Sequence, residues 1–196
     1  MRLRGKGVME IAVVFESMYG ATHDVADAIA AGVAEADPGA MVMCRRVSDA
    51  DLDRVASADL LFVGGPTHMH GMSSGMSRKL AVTMEEKKEQ EGQTIGHGLE
   101  PGTEGPGLRD WFHALPKTHT GRWAAAFDTR GEGHMVGAAA KGIAHRLEGH
   151  GYALVAEPEG FVVEGDAQLL RPGERERAKN WAAGLVQLAA TVGPAR

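Results

Sequence analysis

The sequence predicts one α/β domain, a doubly wound parallel sheet in a three-layer α/β/α sandwich. Three observations carry this. Short apolar runs alternate with amphipathic helical stripes along the 196 residues. The runs are continuously apolar rather than alternating, as strands buried on both faces are. Strand and helix take turns, which calls for a parallel sheet with helices on both sides.

The elements follow in order. Residues 11–15 are a short apolar, partly β-branched run suited to a buried strand. Val25, Ile29 and Val33 then recur four apart beside Ala26 and Ala30, one helical stripe, and Pro38-Gly39 ends it. Residues 41–47 form the next strand, and Ser48, Asp49 and Asp51 offer N-capping to a short helix toward Val55. Residues 60–63 are a wholly apolar strand stopped by Gly64-Gly65-Pro66. Residues 72–108 break the alternation. They hold a polar helix with Met76, Leu80 and Met84 inward and 85–91 solvated, then a Gly/Pro-rich loop over 92–107. A loop of that length is usually functional or mobile rather than idle. Leu108, Trp111, Phe112 and Leu115 make another stripe, in which Trp111 is expected in the core although it could reach a pocket. Residues 123–127 are a strand; Val136, Ala140, Ile143 and Leu147 a helix face; 153–156 with 161–163 a broken strand; and Ala178, Trp181, Leu185 and Leu188 a final helix face. The domain is expected over 9–192, with 1–8 a mobile N-terminal extension.

A formal net charge of -5 and a pI of about 6.0 give no reason to expect nucleic-acid or anionic-membrane partners. The lone Cys44 excludes an internal disulfide and reads as a buried apolar residue within a strand. No apolar run approaches the roughly 20 residues of a membrane helix. Arg2, Arg4 and Lys6 are not followed by the ordered segments of a signal peptide, so membrane insertion is not expected and a cytoplasmic location is.

In an open parallel sheet, ligands sit beyond the carboxyl ends of the strands, where strand order reverses. After the first strand comes Glu16-Ser17-Met18-Tyr19-Gly20-Ala21-Thr22, leading straight into a helix. Small residues and hydroxyls there let backbone amides and the helix N-terminus face an anion. The loop has neither Lys nor Arg, so it is not a P-loop, and no G-x-G-x-x-G follows the strand. By itself the segment also reads as a plain strand-to-helix turn with Thr22 as N-cap.

Ser-x-Tyr-Gly-x-Thr resembles the FMN-phosphate loop of flavodoxin-like proteins, particularly that of flavodoxin-like NAD(P)H:quinone oxidoreductases. Asp59-Leu60-Leu61-Phe62-Val63-Gly64-Gly65-Pro66-Thr67 resembles the strand and loop bordering the flavin ring, and Phe127-Asp128-Thr129-Arg130-Gly131 falls where the third flavin loop belongs. The resemblance spans roughly residues 10–190 and implies a five-stranded sheet of order 2-1-3-4-5 with one FMN at the switch between the first and third strands. Ser17, Tyr19, Gly20 and Thr22, with the amides of Met18 and Ala21, would hold the phosphate. Pro66, Thr67, His68, Met69, His70 and Gly71 would lie on one side of the ring, and Asp128, Thr129, Arg130, Gly131, Glu132 and Gly133 on the other. Gly71 would be a peptide free to rotate toward the reduced ring. The family's electron carriers stack the ring between aromatics; here His68, Met69, His70, His134 and Met135 stand instead.

Other features have plainer readings. His68-Met69-His70 has the form of a metal pair with His97 or His134 as a third ligand, but no Cys or carboxylate is spaced to complete a site, and no metal is expected. Arg45-Arg46 and Arg175-Glu176-Arg177 read as solvated charge. Asp128 and Glu132 are acid–base candidates or simply shape their loop. Three functions follow from the resemblance. The first is an FMN-dependent oxidoreductase passing electrons from reduced nicotinamide, NAD(P)H, to a quinone-like acceptor, with residues 72–108 walling a substrate pocket or forming a homo-oligomer interface. The second is an electron carrier docking on redox partner proteins, which mild acidity fits poorly. The third is a binding module without cofactor. The oxidoreductase is preferred.

Overall fold

The structure, a computed structural model, describes residues 8–68, 71–73, 75–90, 99–100, 103, 105–118, 121–132, 139–165 and 169–193. The extension at 1–7, Met69, His70, His97, Gly133, His134, Met135, Val136, the side chains of His68 and Met76, and most of the 92–107 loop lie outside what is described.

Five strands carry the sheet: β1 (Glu10–Phe15), β2 (Met41–Arg46), β3 (Leu60–His68), β5 (Trp123–Gly131) and β7 (Glu159–Glu164). They are mutually parallel in the order β2-β1-β3-β5-β7, the 2-1-3-4-5 order expected. The broken last strand is real. Its first piece, β6 (Ala153–Leu154), pairs with the start of β5, and β7 pairs with its end. Two short antiparallel additions were not foreseen. They are β4 (Gly71–Met72) against the end of β3, and β8 (Leu169–Leu170) against the end of β7.

Alternation along β1 divides the core. Ile11, Val13 and Phe15 join Phe62, Phe127 and Phe161 beneath α1 (Ala21–Ala36) and α6 (Glu174–Val192). Ala12 and Val14 join Leu61, Val63, Trp111, Phe112 and Ile143 on the opposite face, under α2 (Leu52–Ser57), α4 (Leu108–Ala114) and α5 (Ala139–Gly149). Each fully buried large side chain contributes about 1.5–3 kcal/mol. Trp111 is core, as expected. The short helix is capped by Asp51, whose carboxylate accepts from Asp53 N at 3.0 Å and Arg54 N at 3.1 Å.

Several expectations are corrected. The segments 64–67 and 128–131 are not loops; they prolong β3 and β5, which pair Gly64 with Phe127, Gly65 with Asp128 and Pro66 with Thr129. Gly64-Gly65 is a close-packing site rather than a break, since a side chain at Gly64 would collide with the Phe127 ring and one at Gly65 with Leu108. Pro66 is tolerated because β1 ends opposite Gly64, leaving β3 an edge on that side. On α3 (Gly75–Gln90), Leu80 and Met84 are 53% and 57% exposed; the helix turns Arg78 inward instead. On α6 the buried stripe runs Ala178, Ala182, Leu185, Val186, Ala189, which leaves Leu188 exposed. Cys44 is only partly buried, packed at the margin of the first core.

Candidate functional site

The site is built where β1, β3 and β5 end. After β1 the chain turns through Ser17 to Gly20, and the Gly20 amide donates to Ser17 Oγ at 3.3 Å. Gly20, not Thr22, is the N-cap. Its φ of 97° is the left-handed conformation a side chain resists, and α1 begins one residue later. The first amides of α1 have no intrahelical acceptor and are available to an anion. Thr22, in the first turn, reaches across to β5, its Oγ1 2.7 Å from Thr129 Oγ1, with both residues buried.

The ends of β3 and β5 are tied to α5. Thr67 Oγ1 donates to Asp128 Oδ2 at 2.9 Å, Ala140 N donates to the same oxygen at 2.9 Å, and Ala139 N donates to Thr67 Oγ1 at 3.0 Å. Asp128 and Thr67 thus cap α5 from strand positions. Asp128 is fully buried, and burial pushes its carboxyl above the usual range against the opposing hydrogen bond from Ala140 and the charge of Arg130. Arg130 Nε is 3.7 Å from Asp128 Oδ1.

These segments enclose a cavity of about 450 Å³. It is lined by Met18, Tyr19, Ala21 and Thr22 from the first segment, Pro66 and Thr67 from the second, and Thr129, Arg130 and Gly131 from the third. Nine expected site residues therefore converge. Ser17 and Gly20 shape the turn without lining the cavity, Asp128 lies behind the wall, and Gly71 pairs with His68 in the β3–β4 ladder. Glu132, a tenth residue from the stretch expected there, also lines the wall; Val163, Glu164 and Gly165 complete it and were not foreseen. Glu132, an acid–base candidate in the sequence, pairs with Arg171 at 2.5 Å, as Glu164 does at 3.2 Å. A second cavity, about 560 Å³, lies at the amino ends of the strands by Met9, Leu60, Trp123 and Val186. That is the wrong end of a parallel sheet for its ligand.

Two charge clusters support the site, and the sequence reading missed both. Glu16, directly after β1, is buried; its carboxylate accepts from the Ser73 hydroxyl and, at 2.8 Å, from Leu108 N. Arg78 faces it and also bonds Asp110 at 3.1 Å. Arg46, expected to be solvated, is 19% exposed and meets Glu100 at 2.6 Å, and its guanidinium donates to Ser17 O at 3.3 Å. His23 Nδ1 bonds the same Glu100 oxygen at 2.8 Å, and its ring stacks on Phe15. Burial pushes Glu100 up, but hydrogen bonds from Ser17 and His23 and the charge of Arg46 outweigh it and hold the carboxyl below its ordinary value. Arg177 is likewise not free surface charge: it bonds Glu159, Glu174 and Gly160 O and lies over the Phe161 ring. Arg175 is exposed, as expected. Among the described residues no group of three or more His, Cys, Asp or Glu is arranged to hold a metal, and no helix is long and apolar enough to cross a membrane.

The profile of the family described as Flavodoxin matches residues 13–181. An NAD(P)H dehydrogenase (quinone) of Geobacter sulfurreducens is 32% identical over 99 residues, covering 38% of this chain and 48% of that protein, so the match spans about half of the relative's length. Among solved structures, flavodoxin 2 of Bacillus cereus aligns with a TM-score of 0.61 and 16% identity over 91% of this chain and 98% of its own. A flavodoxin from the domain Archaea aligns at 0.59 and 19% over 91% and 97%. A flavodoxin, WrbA-like protein of Agrobacterium tumefaciens aligns at 0.55 and 16% over 93% and 98%.

Proposed function

Because the chain belongs to the flavodoxin family, we propose that it holds one FMN in the cavity at the ends of β1, β3 and β5 and, as an enzyme, passes electrons from reduced nicotinamide to a quinone-like acceptor. The observation that carries this is the convergence of three separate segments on one cavity, bridged by the Thr22 and Thr129 hydroxyls. The donor set suits the group. The turn at Gly20 and the first turn of α1 present amides and a hydroxyl to a phosphate, and small or flat residues (Pro66, Thr67, Thr129, Gly131) leave room for a ring.

When bound, FMN supplies reversible electron and hydride chemistry, and the protein supplies position and electrostatics. Thr22 and Thr129 each offer a hydroxyl that donates or accepts. Thr67, fixed between Asp128 and Ala139 N, keeps the β3 wall rigid against β5. Arg130 is the one basic residue among those described along the cavity; Glu132 and Glu164 there are offset by Arg171. The enzyme reading is supported by the NAD(P)H dehydrogenase (quinone) relative and by Glu100 of the 72–108 segment, whose N–H donates to Met18 O in the candidate phosphate loop at 2.7 Å.

The test is a visible spectrum of the purified protein, FMN titration followed by fluorescence, and oxidation of NADH and NADPH with and without a benzoquinone. Binding near one FMN per chain with quinone-dependent oxidation is expected. Binding without oxidation would favour the electron carrier, and absence of quenching would favour a module without cofactor.

A further inference from the structure

The phosphate loop is gripped from outside by two residues that do not line the cavity. Arg46, at the end of β2, donates to Ser17 O at 3.3 Å. Glu100, on the return arm of the 72–108 segment, donates its backbone N–H to Met18 O at 2.7 Å. The two are locked together by the 2.6 Å contact between guanidinium and carboxylate, and His23 of α1 holds the same carboxylate. In a planar trans peptide, C=O and the following N–H point in opposite directions. Fixing the Ser17 and Met18 carbonyls toward Arg46 and Glu100 therefore fixes the Met18 and Tyr19 N–H groups away from them. Met18 and Tyr19 line the cavity; Arg46 and Glu100 do not.

Resting on the FMN reading, we infer that Arg46 and Glu100 are positioning residues that orient the phosphate-loop amides and so set affinity for the phosphate of FMN without touching it. Three features agree. A carboxylate near an anion site would oppose binding unless neutralised, and here the Arg46 guanidinium meets it at 2.6 Å. The loop has no cation of its own, so alignment of its amides is the main source of phosphate affinity. Binding energy also rises when a loop is ordered before the ligand arrives. The 72–108 segment is thereby coupled to cofactor retention.

The experiment compares FMN with riboflavin, which lacks the phosphate, on the wild-type protein and on Arg46→Met/Glu100→Gln, a double variant of unchanged formal net charge. FMN affinity is expected to fall about tenfold while riboflavin affinity changes less than about twofold. Equal weakening of both ligands, or an unchanged FMN affinity, overturns the proposal. Amide hydrogen exchange of the flavin-free proteins gives a second measure. Faster exchange confined to residues 17–20 supports positioning; faster exchange spreading through β1 and α1 makes the pair scaffold only and overturns it. A wild-type protein that binds neither flavin removes the FMN reading itself, and this inference with it.

Discussion

The Glu16 carboxylate and the Arg78 guanidinium stand 3.8 Å apart with 6% and 8% of their side chains exposed, joining the end of β1 to the elaborated segment. Breaking such a pair from one side strands a charge in the interior, which costs about 3–5 kcal/mol. Arg78→Met is expected to lower stability by about that much in urea unfolding. Adding Glu16→Gln should recover part of the loss, because an amide can still accept from Leu108 N, as Glu16 Oε2 does at 2.8 Å. If the single variant loses less than about 1 kcal/mol, the pair is not what fastens α3 and α4 to the sheet.

Asp128 gives a pH signature. Burial holds its folded-state carboxyl above the unfolded value, so the folded protein binds the proton more tightly than the unfolded chain. Stability should therefore fall as pH rises from the ordinary carboxylate value through the raised one. Asp128→Asn keeps an acceptor for Thr67 and Ala140 N and removes the titrating carboxyl. The variant is expected to gain on the wild type as pH rises across that window, measured by denaturation midpoints at a series of pH values. A difference that stays constant with pH would mean Asp128 is not strained by its burial.

How much of this was legible depends on range. The five main strands and the stripes of α1, α4 and α5 could be read because continuous apolar runs and 3.6-residue spacing are local signals. Asp51 capping α2 is equally local. Gly64-Gly65-Pro66 misled, because its meaning as a close-packed strand end lies in Phe127 and Leu108, residues far along the chain. Leu80 and Met84 misled in the opposite sense. Their spacing is helical, but the face of α3 turned inward is chosen by Arg78 and its partner at Glu16, and no period announces a buried charge pair.

The site divides in the same way. Thr22, Thr67 and Thr129 were found through motif order on successive strand ends, and the structure brings all three to one cavity. Arg46 looked like solvated charge because its partner, Glu100, belongs to a segment with no secondary-structure signal of its own. A hint existed: Arg46 is the last residue of a strand adjacent to β1, and in a parallel sheet that end faces the ligand side. Val163 could not be placed without the β5–β7 register, which sets it opposite Gly131.

Cys44 should be chemically quiet. Burial, with the nearby charge of Asp27, pushes its thiol up to about 12 despite Arg45. At pH 8 the thiolate fraction is then about one in 10⁴, against about a quarter for an unperturbed cysteine. Labelling with iodoacetamide at pH 8 is expected to be slow in the folded protein and to accelerate by orders of magnitude in denaturant. Labelling at the rate of a free cysteine in native buffer would show that the β2 edge opens readily.

The hydroxyl bridge between Thr22 and Thr129 offers a way to tell the proposed FMN contact from a purely structural brace. Both residues are buried and meet at 2.7 Å, one hydroxyl donating to the other. Thr129→Val keeps the shape and suits a strand, but leaves the Thr22 hydroxyl without its partner, at a cost of about 1–3 kcal/mol. If Thr129 also bonds the flavin, FMN affinity should drop about tenfold as well, the loss of one hydrogen bond in a desolvated site. Chemical denaturation of the flavin-free protein and fluorescence titration with FMN read the two effects separately. A stability loss with unchanged FMN affinity would confine Thr129 to bracing α1 against β5. Loss of both would place the bridge in the cofactor site, where ligand binding exchanges a hydroxyl pair for two contacts to the flavin.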